Sequence, residues 1–313
     1  MGDPMRWLTL LLGTSLLLAS SACSSDPDAS SDPDSGNGAD VVVPIDGAVA
    51  PDVAVTKDAS PTDSGSPWTP PADAGPSATR FTAKALGKTS APNGFWEYLP
   101  AGYDGTIAMP LLVFWHGIGE NGNGTTDLGK VPANGPPNLI QANKWPNTRP
   151  FIVLSPQHSG GGCPTATEID AFITWSLGAY KVNPKQVFLT GLSCGAIGSW
   201  SYLGQYKAKV VAASVLVCGD PGDPTANWSA WGKQQCGLGD LAIWSFHGDK
   251  DPTVAFGPDE ATMQKLLQCP SPPRRDVKWT PIPNGGHGIW GPVYDLSGGY
   301  GDVYAWLLAN SKP

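Results

Sequence analysis

The stretch that most constrains this chain is a strand that must become a helix within a few residues. Residues 187–192 form an apolar run of strand length, residues 196–206 carry a helical pattern, and between them stands Gly191-Leu192-Ser193-Cys194-Gly195, a G-x-S-x-G sequence. So abrupt a transition needs small residues at Gly191 and Gly195, where neighbouring backbones pass, and it leaves Ser193 on a strained turn above the sheet. The Ser193 hydroxyl then faces outward. The N–H of Cys194, at the positive start of the helix, points where an oxyanion would form. Three fixed positions in five recur by chance, so the pattern gains weight only from the rest of the chain.

Composition divides the chain before any element is assigned. Residues 24–80 hold ten Asp against Lys57 and Arg80 and are rich in Ser, Pro, Gly and Ala, with too few large apolar groups to offset the entropy of ordering. This predicts three segments: 1–22 a signal peptide, 23–80 a disordered acidic linker and 81–313 one globular domain. The linker carries the whole formal charge of -8, because residues 81–313 hold 16 acidic and 16 basic residues. The domain is therefore neutral. No basic patch or zinc-finger spacing is present, which argues against a nucleic-acid partner.

Residues 7–19 are a leucine-rich run after Arg6, too short to span a bilayer and followed by small residues, as in an export signal. Met5 gives a cleaner positive start than Met1, whose flank is neutralised by Asp3. The run ends in Ala19-Ser20-Ser21-Ala22-Cys23, which resembles a bacterial lipoprotein cleavage site except that Ser20 stands where that family usually has Leu. The expectation is an exported bacterial protein, either secreted or lipid-anchored at the cell envelope through Cys23, with the acidic tract as a tether. Ordinary cleavage nearby is the alternative. Beyond Cys23 the chain has Cys163, Cys194, Cys218, Cys236 and Cys269. In a compartment that permits disulfides, five cysteines allow at most two bridges, and sequence alone leaves the connectivity open. The expected role of the Cys194 side chain is small, inert packing. No Cys/His spacing suggests a metal, and no cofactor is expected.

From Phe81 the chain reads as alternating strands and helices. A strand at 95–99 runs into the turn Pro100-Ala101-Gly102-Tyr103 as the start of a hairpin. A second strand at 110–115 is continuously apolar, as expected when both faces of a parallel sheet are buried, and ends in His116-Gly117-Ile118-Gly119. That turn is a natural source of a second oxyanion donor, the N–H of Ile118, with His116 a structural residue. A Gly/Asn/Pro-rich loop spans 120–147. A strand at 151–155 leads to His158, a candidate substrate contact, and residues 167–180 have apolar positions at helical spacing. Further strands at 210–217, 241–246 and 277–282 end in Cys218-Gly219-Asp220, His247-Gly248-Asp249-Lys250-Asp251 and Gly285-Gly286-His287. A helix at 303–310 closes the chain. Loops at the carboxyl ends of parallel strands are where ligands bind, so Asp220, Asp223, Asp249 and Asp251 are all candidate acids.

Strands alternating with helices predict an α/β domain with a mostly parallel central sheet and helices on both faces. The chemical order is Ser, Asp, His. Four segments, His116-Gly117-Ile118-Gly119-Glu120-Asn121-Gly122, Gly191-Leu192-Ser193-Cys194-Gly195, His247-Gly248-Asp249-Lys250-Asp251 and Gly285-Gly286-His287, together resemble the α/β-hydrolase fold serine esterases. The resemblance covers about residues 95–313. It is nearest the secreted branch of feruloyl and acetylxylan esterases, polyhydroxyalkanoate depolymerase-like enzymes and predicted peptidases. It implies Ser193 as nucleophile, His287 as base, and Asp251, the last residue of H-G-x-x-D, as triad acid. The N–H groups of Ile118 and Cys194 would form the oxyanion hole. Cys194 departs from the family, which more often has Met, Ala, Asn or Gln there.

The implied activity is a carboxylesterase, a serine hydrolase acting through an acyl-enzyme. Its substrate partner would be an acetyl or feruloyl ester on carbohydrate, or a polyester. Thirteen Trp, among them Trp290 three residues beyond His287, offer flat faces for sugar or aryl groups, although most strand and helix Trp should be core. Two other readings stay open: a serine peptidase of prolyl-oligopeptidase type and an inactive hydrolase-fold binding module. Oligomeric state is not legible.

Overall fold

The computed structural model of the protein describes residues 68–222, 238, 240–269 and 276–313. The expected signal over 1–22, Cys23, most of the 23–80 linker, Asp223 and Cys236 lie outside the described residues. Residues 68–80 correct the linker boundary. Trp68 donates its indole N–H to the Ala101 carbonyl at 2.9 Å, Ser77 Oγ donates to the Ile140 carbonyl at 2.9 Å, and a 3-10 turn spans Ser77–Arg80. Arg80 lies over the Tyr98 ring and donates to Asn147 Oδ1. A few polar anchors and one Trp thus suffice to order a stretch whose composition resembles the tract before it.

Eight strands among the described residues form one sheet: β1 Phe81–Lys84, β2 Phe95–Tyr98, β3 Met109–Trp115, β4 Ile152–Pro156, β5 Val182–Leu192, β6 Ala213–Val217, β7 Ala242–Gly248 and β8 Val277–Ile282. Their order is β1-β2-β4-β3-β5-β6-β7-β8. The last six are parallel, and β1 and β2 form an antiparallel edge. The hairpin expected after β2 is therefore absent. The turn closed by Tyr103 N–H to the Pro100 carbonyl sends the chain past β4 to β3, and the antiparallel neighbours of β2 are β1, before it in sequence, and β4, reached only after β3.

The central strands β3, β4, β6 and β7 and the second half of β5 are buried on both faces, as continuous apolar strands require. Leu111, Val113 and Trp115 pack against α2 (Ala166–Ala179) and α3 (Cys194–Tyr206), while Leu112 and Phe114 face α1 (Gly135–Gln141) and the short α5 (Trp290–Tyr294). The α4 helix (Phe256–Leu267) buries Met263 and Leu266, and α6 (Val303–Ala309) buries Trp306 and Leu307. Among the elements that fall where sequence showed none are α1 and α4. The α1 helix begins at Gly135 with Pro136 in its first turn, a position where Pro favours a helix. The apolar positions of α4 are sparse beside Gly257 and Pro258. Similarly, Pro184 obscured the first half of β5, which lies at the exposed end of that strand.

Topology places the site. From β3 the chain winds outward to β4, then crosses back to β5 on the other side of β3, so the order reverses between β3 and β5. Crevices at such switch points, beyond the carboxyl ends of the strands, receive ligands. Here β3 is followed by the His116-Gly117-Ile118 turn and β5 by Ser193.

Candidate active site

Ser193 has φ 50° and ψ -121°, a conformation costly for a residue with a side chain. The surrounding backbone imposes it. A Cβ on Gly191 would lie 2.6 Å from the Gly195 carbonyl carbon, and one on Gly195 would lie 2.0 Å from the Trp115 carbonyl oxygen. Only glycine permits β3, β5 and α3 to meet so closely. The Ser193 N–H is spent on the Val217 carbonyl at 2.8 Å, which pins the turn to β6 and leaves Cys194, first residue of α3, as the first of the first-turn donors with no intrahelical partner.

The hydroxyl of Ser193 meets His287. The Ser193 Oγ to His287 Nε2 distance is 2.9 Å, and His287 Nδ1 stands 2.7 Å from Asp251 Oδ2. The tautomer is settled by these partners: Nδ1 donates to the carboxylate, and Nε2 accepts from the hydroxyl. Asp251 Oδ1 accepts the N–H groups of Thr253 at 2.8 Å and Val254 at 3.0 Å. Burial pushes the Asp251 carboxyl up, but the His287 and backbone hydrogen bonds outweigh it and hold the group below the usual carboxylate range. The loops carrying Asp251 and His287 touch through backbone, since a Cβ on Gly248 would lie 2.3 Å from the Gly285 carbonyl oxygen. The alternative acids go elsewhere. Asp249 accepts the Asn284 N–H at 2.7 Å, and Asp220 accepts the Gly222 N–H at 2.8 Å.

Behind the other side of Ser193 runs the loop after β3. A Cβ on Gly117 would come within 3.7 Å of Ser193 Cβ and 3.2 Å of Glu120 Oε2, so this loop lies along the nucleophile turn. Ile118 begins a 3-10 turn, where its N–H has no partner within the turn, and the residue is 59% exposed. His116 supports the loop from beneath. Its Nδ1 donates to the Gly117 carbonyl at 2.7 Å and its Nε2 accepts the His158 N–H at 3.0 Å. Burial pulls the His116 imidazole down to about 4, so it is neutral.

His158 is not the substrate contact expected from its loop. It is 7% exposed, and its Nδ1 lies 2.8 Å from Glu168 Oε2, so it braces the loop from within. The strand-end position made it look exposed; the helical Glu168, ten residues on, turns it inward. Trp290 does stand beside the triad, its ring edge-on to His287 at 5.1 Å. Its N–H donates to Asn134 Oδ1 at 3.0 Å, and Asn134 Nδ2 donates to Glu120 Oε1 at 2.5 Å. Burial raises the Glu120 carboxyl, with Asn134 and nearby N–H groups pulling it partly back. Glu120 lies within the quoted H-G-x-G-E-N-G segment, yet Asn134 and Glu168 carried no local signal.

The cysteines correct one expectation. Cys194 is bridged to Cys163 across 31 residues, fastening the start of α3 to the loop after β4. Cys269 is also disulfide-bonded, and the free thiol among the described residues is Cys218. Cys218 adopts φ 52° and donates its S–H to the His287 carbonyl at 3.3 Å. Burial pushes that thiol up to about 12. Cys218, Asp251 and His287 are close together, but 2.7 Å between Asp251 and His287 is the distance of a hydrogen bond. Two ligands of one tetrahedral zinc stand roughly 3.3 Å apart, so the cluster is a hydrogen-bonded one and not a metal site.

By sequence, neither a family model nor a curated protein matches the chain. By structure, the chain is similar to a thermostable esterase, with a TM-score of 0.59, 23% identity, and 75% of this chain covered. The chain spans 64% of that esterase's length. It is similar to a mutant feruloyl esterase module from Clostridium thermocellum complexed with sinapinate, at TM-score 0.52 and 18% identity, covering 78% of this chain and 93% of that one. A chain from Bacteroides ovatus assigned as a dipeptidyl aminopeptidase IV gives TM-score 0.52 at 11% identity, covering 74% of this chain and 35% of the other. The shared architecture is the α/β-hydrolase fold.

Proposed function

We propose that the protein is a serine hydrolase that cleaves carboxylic esters through an acyl-enzyme. The observation that carries this reading is the line Ser193, His287, Asp251, with contacts of 2.9 and 2.7 Å, beginning on a strained serine. A serine hydroxyl is a weak nucleophile at neutral pH. His287 Nε2 accepts its proton as Oγ attacks the ester carbonyl, and Asp251 offsets the imidazolium that results. The carbonyl oxygen becomes an oxyanion held by the N–H groups of Ile118 and Cys194, each such donor contributing about 3 kcal/mol. His287 then protonates the departing alcohol. Water, losing its proton to the same nitrogen, attacks the acyl-enzyme and regenerates Ser193.

The substrate we propose is an acetyl or feruloyl ester on carbohydrate, or a polyester. Supporting it are the Trp290 ring beside His287 and the fold likeness to a feruloyl esterase module. Export and anchoring through Cys23 belong to the same proposal and rest on the leader-like sequence of residues 1–23. A peptidase is the second reading, favoured by the likeness to the Bacteroides ovatus chain. The test is hydrolysis of p-nitrophenyl acetate and butyrate by the full chain and by Ser193→Ala, with fluorophosphonate labelling of both. Turnover and labelling by the wild type, with a loss of about ten-thousand-fold or more in Ser193→Ala, is the expected result. Equal rates would reject Ser193 as nucleophile, and cleavage of peptide amides faster than esters would favour the second reading.

A further inference from the structure

Two buried side chains with no part in the proton transfers above stand directly behind Asp251. His247 lies on β7 and Asp259 in the first turn of α4, and both are 0% exposed. His247 Nδ1 is 3.1 Å from Asp259 Oδ2, while its Nε2 is 3.1 Å from the Val254 carbonyl and 3.3 Å from Asp251 Oδ2. Ser245 Oγ donates to the same Asp259 oxygen at 2.8 Å. With the triad this forms one continuous line: Ser193, His287, Asp251, His247, Asp259.

Acceptors surround both nitrogens of His247. The Val254 carbonyl and the Asp251 carboxylate can only accept, so Nε2 carries a proton. A bare Nδ1 would then oppose its lone pair to the Asp259 carboxylate in a site closed to water. An extra proton held between the two removes that repulsion and lessens the burden of a second buried charge. Asp259 Oδ1, buried without a hydrogen-bond partner, adds to the advantage of a shared proton.

We propose that His247 and Asp259 are a positioning dyad behind the triad acid, holding one extra proton at neutral pH so that a positively charged His247 ring, its Nε2–H given to the Val254 carbonyl, lies 3.3 Å from Asp251 Oδ2 and keeps that carboxylate aimed at His287. The effect on rate rests on the hydrolase reading; the protonation state does not. The charged and titratable groups that face the dyad are Asp251 from the following loop, Cys218 from the end of β6, and Asp220. From α4, the Phe256 ring covers the imidazole edge-on at 5.8 Å. Burial pulls the His247 imidazole down, but Asp259, Val254 and Asp251 more than restore it, to a net rise; burial raises the Asp259 carboxyl. Both directions favour keeping the proton. Cys218, pushed up to about 12, stays a neutral thiol and adds no charge.

The positive end of the dyad is the nearer one to Asp251. Removing its proton leaves Asp251 less compensated and the His287 imidazolium more stable, which moves the acid limb of catalysis to higher pH. The test begins with nitrogen-15 NMR of the imidazole rings in the full chain, which has four histidines, the His247 signals being assigned by their loss in His247→Gln. At about pH 8, above the ordinary histidine pKa of roughly 6.5, wild-type His247 is expected to hold protons at both ring nitrogens, and in Asp259→Asn at Nε2 alone. A bare Nδ1 in the wild type at that pH overturns the proposal, whether or not the chain turns over esters. In Asp259→Asn the acid limb of kcat/KM for p-nitrophenyl butyrate should rise by about half a pH unit, with about a threefold loss near pH 6. An unmoved limb with His247 singly protonated overturns the positioning role. A silent wild type rejects the hydrolase reading alone, and the ring-nitrogen spectrum still decides the dyad.

Discussion

The two sides of the candidate site are each built around a buried histidine, and the two histidines are driven in opposite directions. On the nucleophile side His116 is pulled down to about 4 and is neutral; on the acid side His247 is raised. Burial lowers both. The difference is in the partners: His116 touches a backbone carbonyl and a backbone N–H, whereas His247 stands between two carboxylates. The nucleophile side is therefore held by backbone packing, glycines and a disulfide, and the acid side by a line of hydrogen bonds and ion-pair contacts. Position within the protein does not set the charge of a buried imidazole; the groups it meets do.

If that contrast is right, the nucleophile side should fail by crowding. Gly195→Ala puts a methyl 2.0 Å from the Trp115 carbonyl oxygen, backbone that cannot step aside. The expected outcome is a loss of about 4 kcal/mol or more in urea unfolding, together with ester turnover and fluorophosphonate labelling. An alanine variant that folds and labels like the wild type would break the comparison. A smaller effect should follow from removing the cross-link. The pair Cys163→Ala and Cys194→Ala frees a loop closed over 31 residues, worth about 3.5 kcal/mol in chain entropy, and relaxes the start of α3 at the Cys194 N–H. Thermal unfolding and kcat should both fall, while the acid limb of the pH profile stays in place.

The smallest effect sharpens the contrast through pH. The folded value of His116, about 4, lies below the unfolded value near 6.5, so the unfolded chain binds a proton that the folded chain refuses. Stability is then undiminished above about pH 6.5, declines as pH falls toward 4, and is reduced by up to about 3 kcal/mol below it. Gln in place of His116 can keep one donor and one acceptor without titrating. His116→Gln should therefore lose less stability than the wild type between those pH values in parallel urea titrations. Identical slopes would mean that His116 does not supply the difference.

Much of the parallel sheet was legible because its strands are apolar on both faces, as in residues 111–115, and so stand out from every loop. Ser193, Asp251 and His287 were legible for a related reason: each follows a strand end within a glycine-bearing segment, and the glycines mark where backbones touch. Residues 68–80 were not, because a short segment held by Trp68, Ser77 and Arg80 has the composition of a linker. Nor was the direction of His158, since Glu168 lies on a helix that sequence places near it without saying which way either side chain turns.

The chain's own residues determined the alternation of strands and helices, the strained serine turn and the order Ser, Asp, His, because these are local consequences of apolar periodicity and of where glycine is required. Only the tertiary structure decided that Cys194 pairs with Cys163, that His158 turns inward to Glu168, and that Asp259 reaches His247. Each of those contacts joins segments whose meeting depends on strand order and loop path. Hydrogen bonds and disulfides form at distances of a few ångströms, and residue spacing along a chain does not specify distances that short.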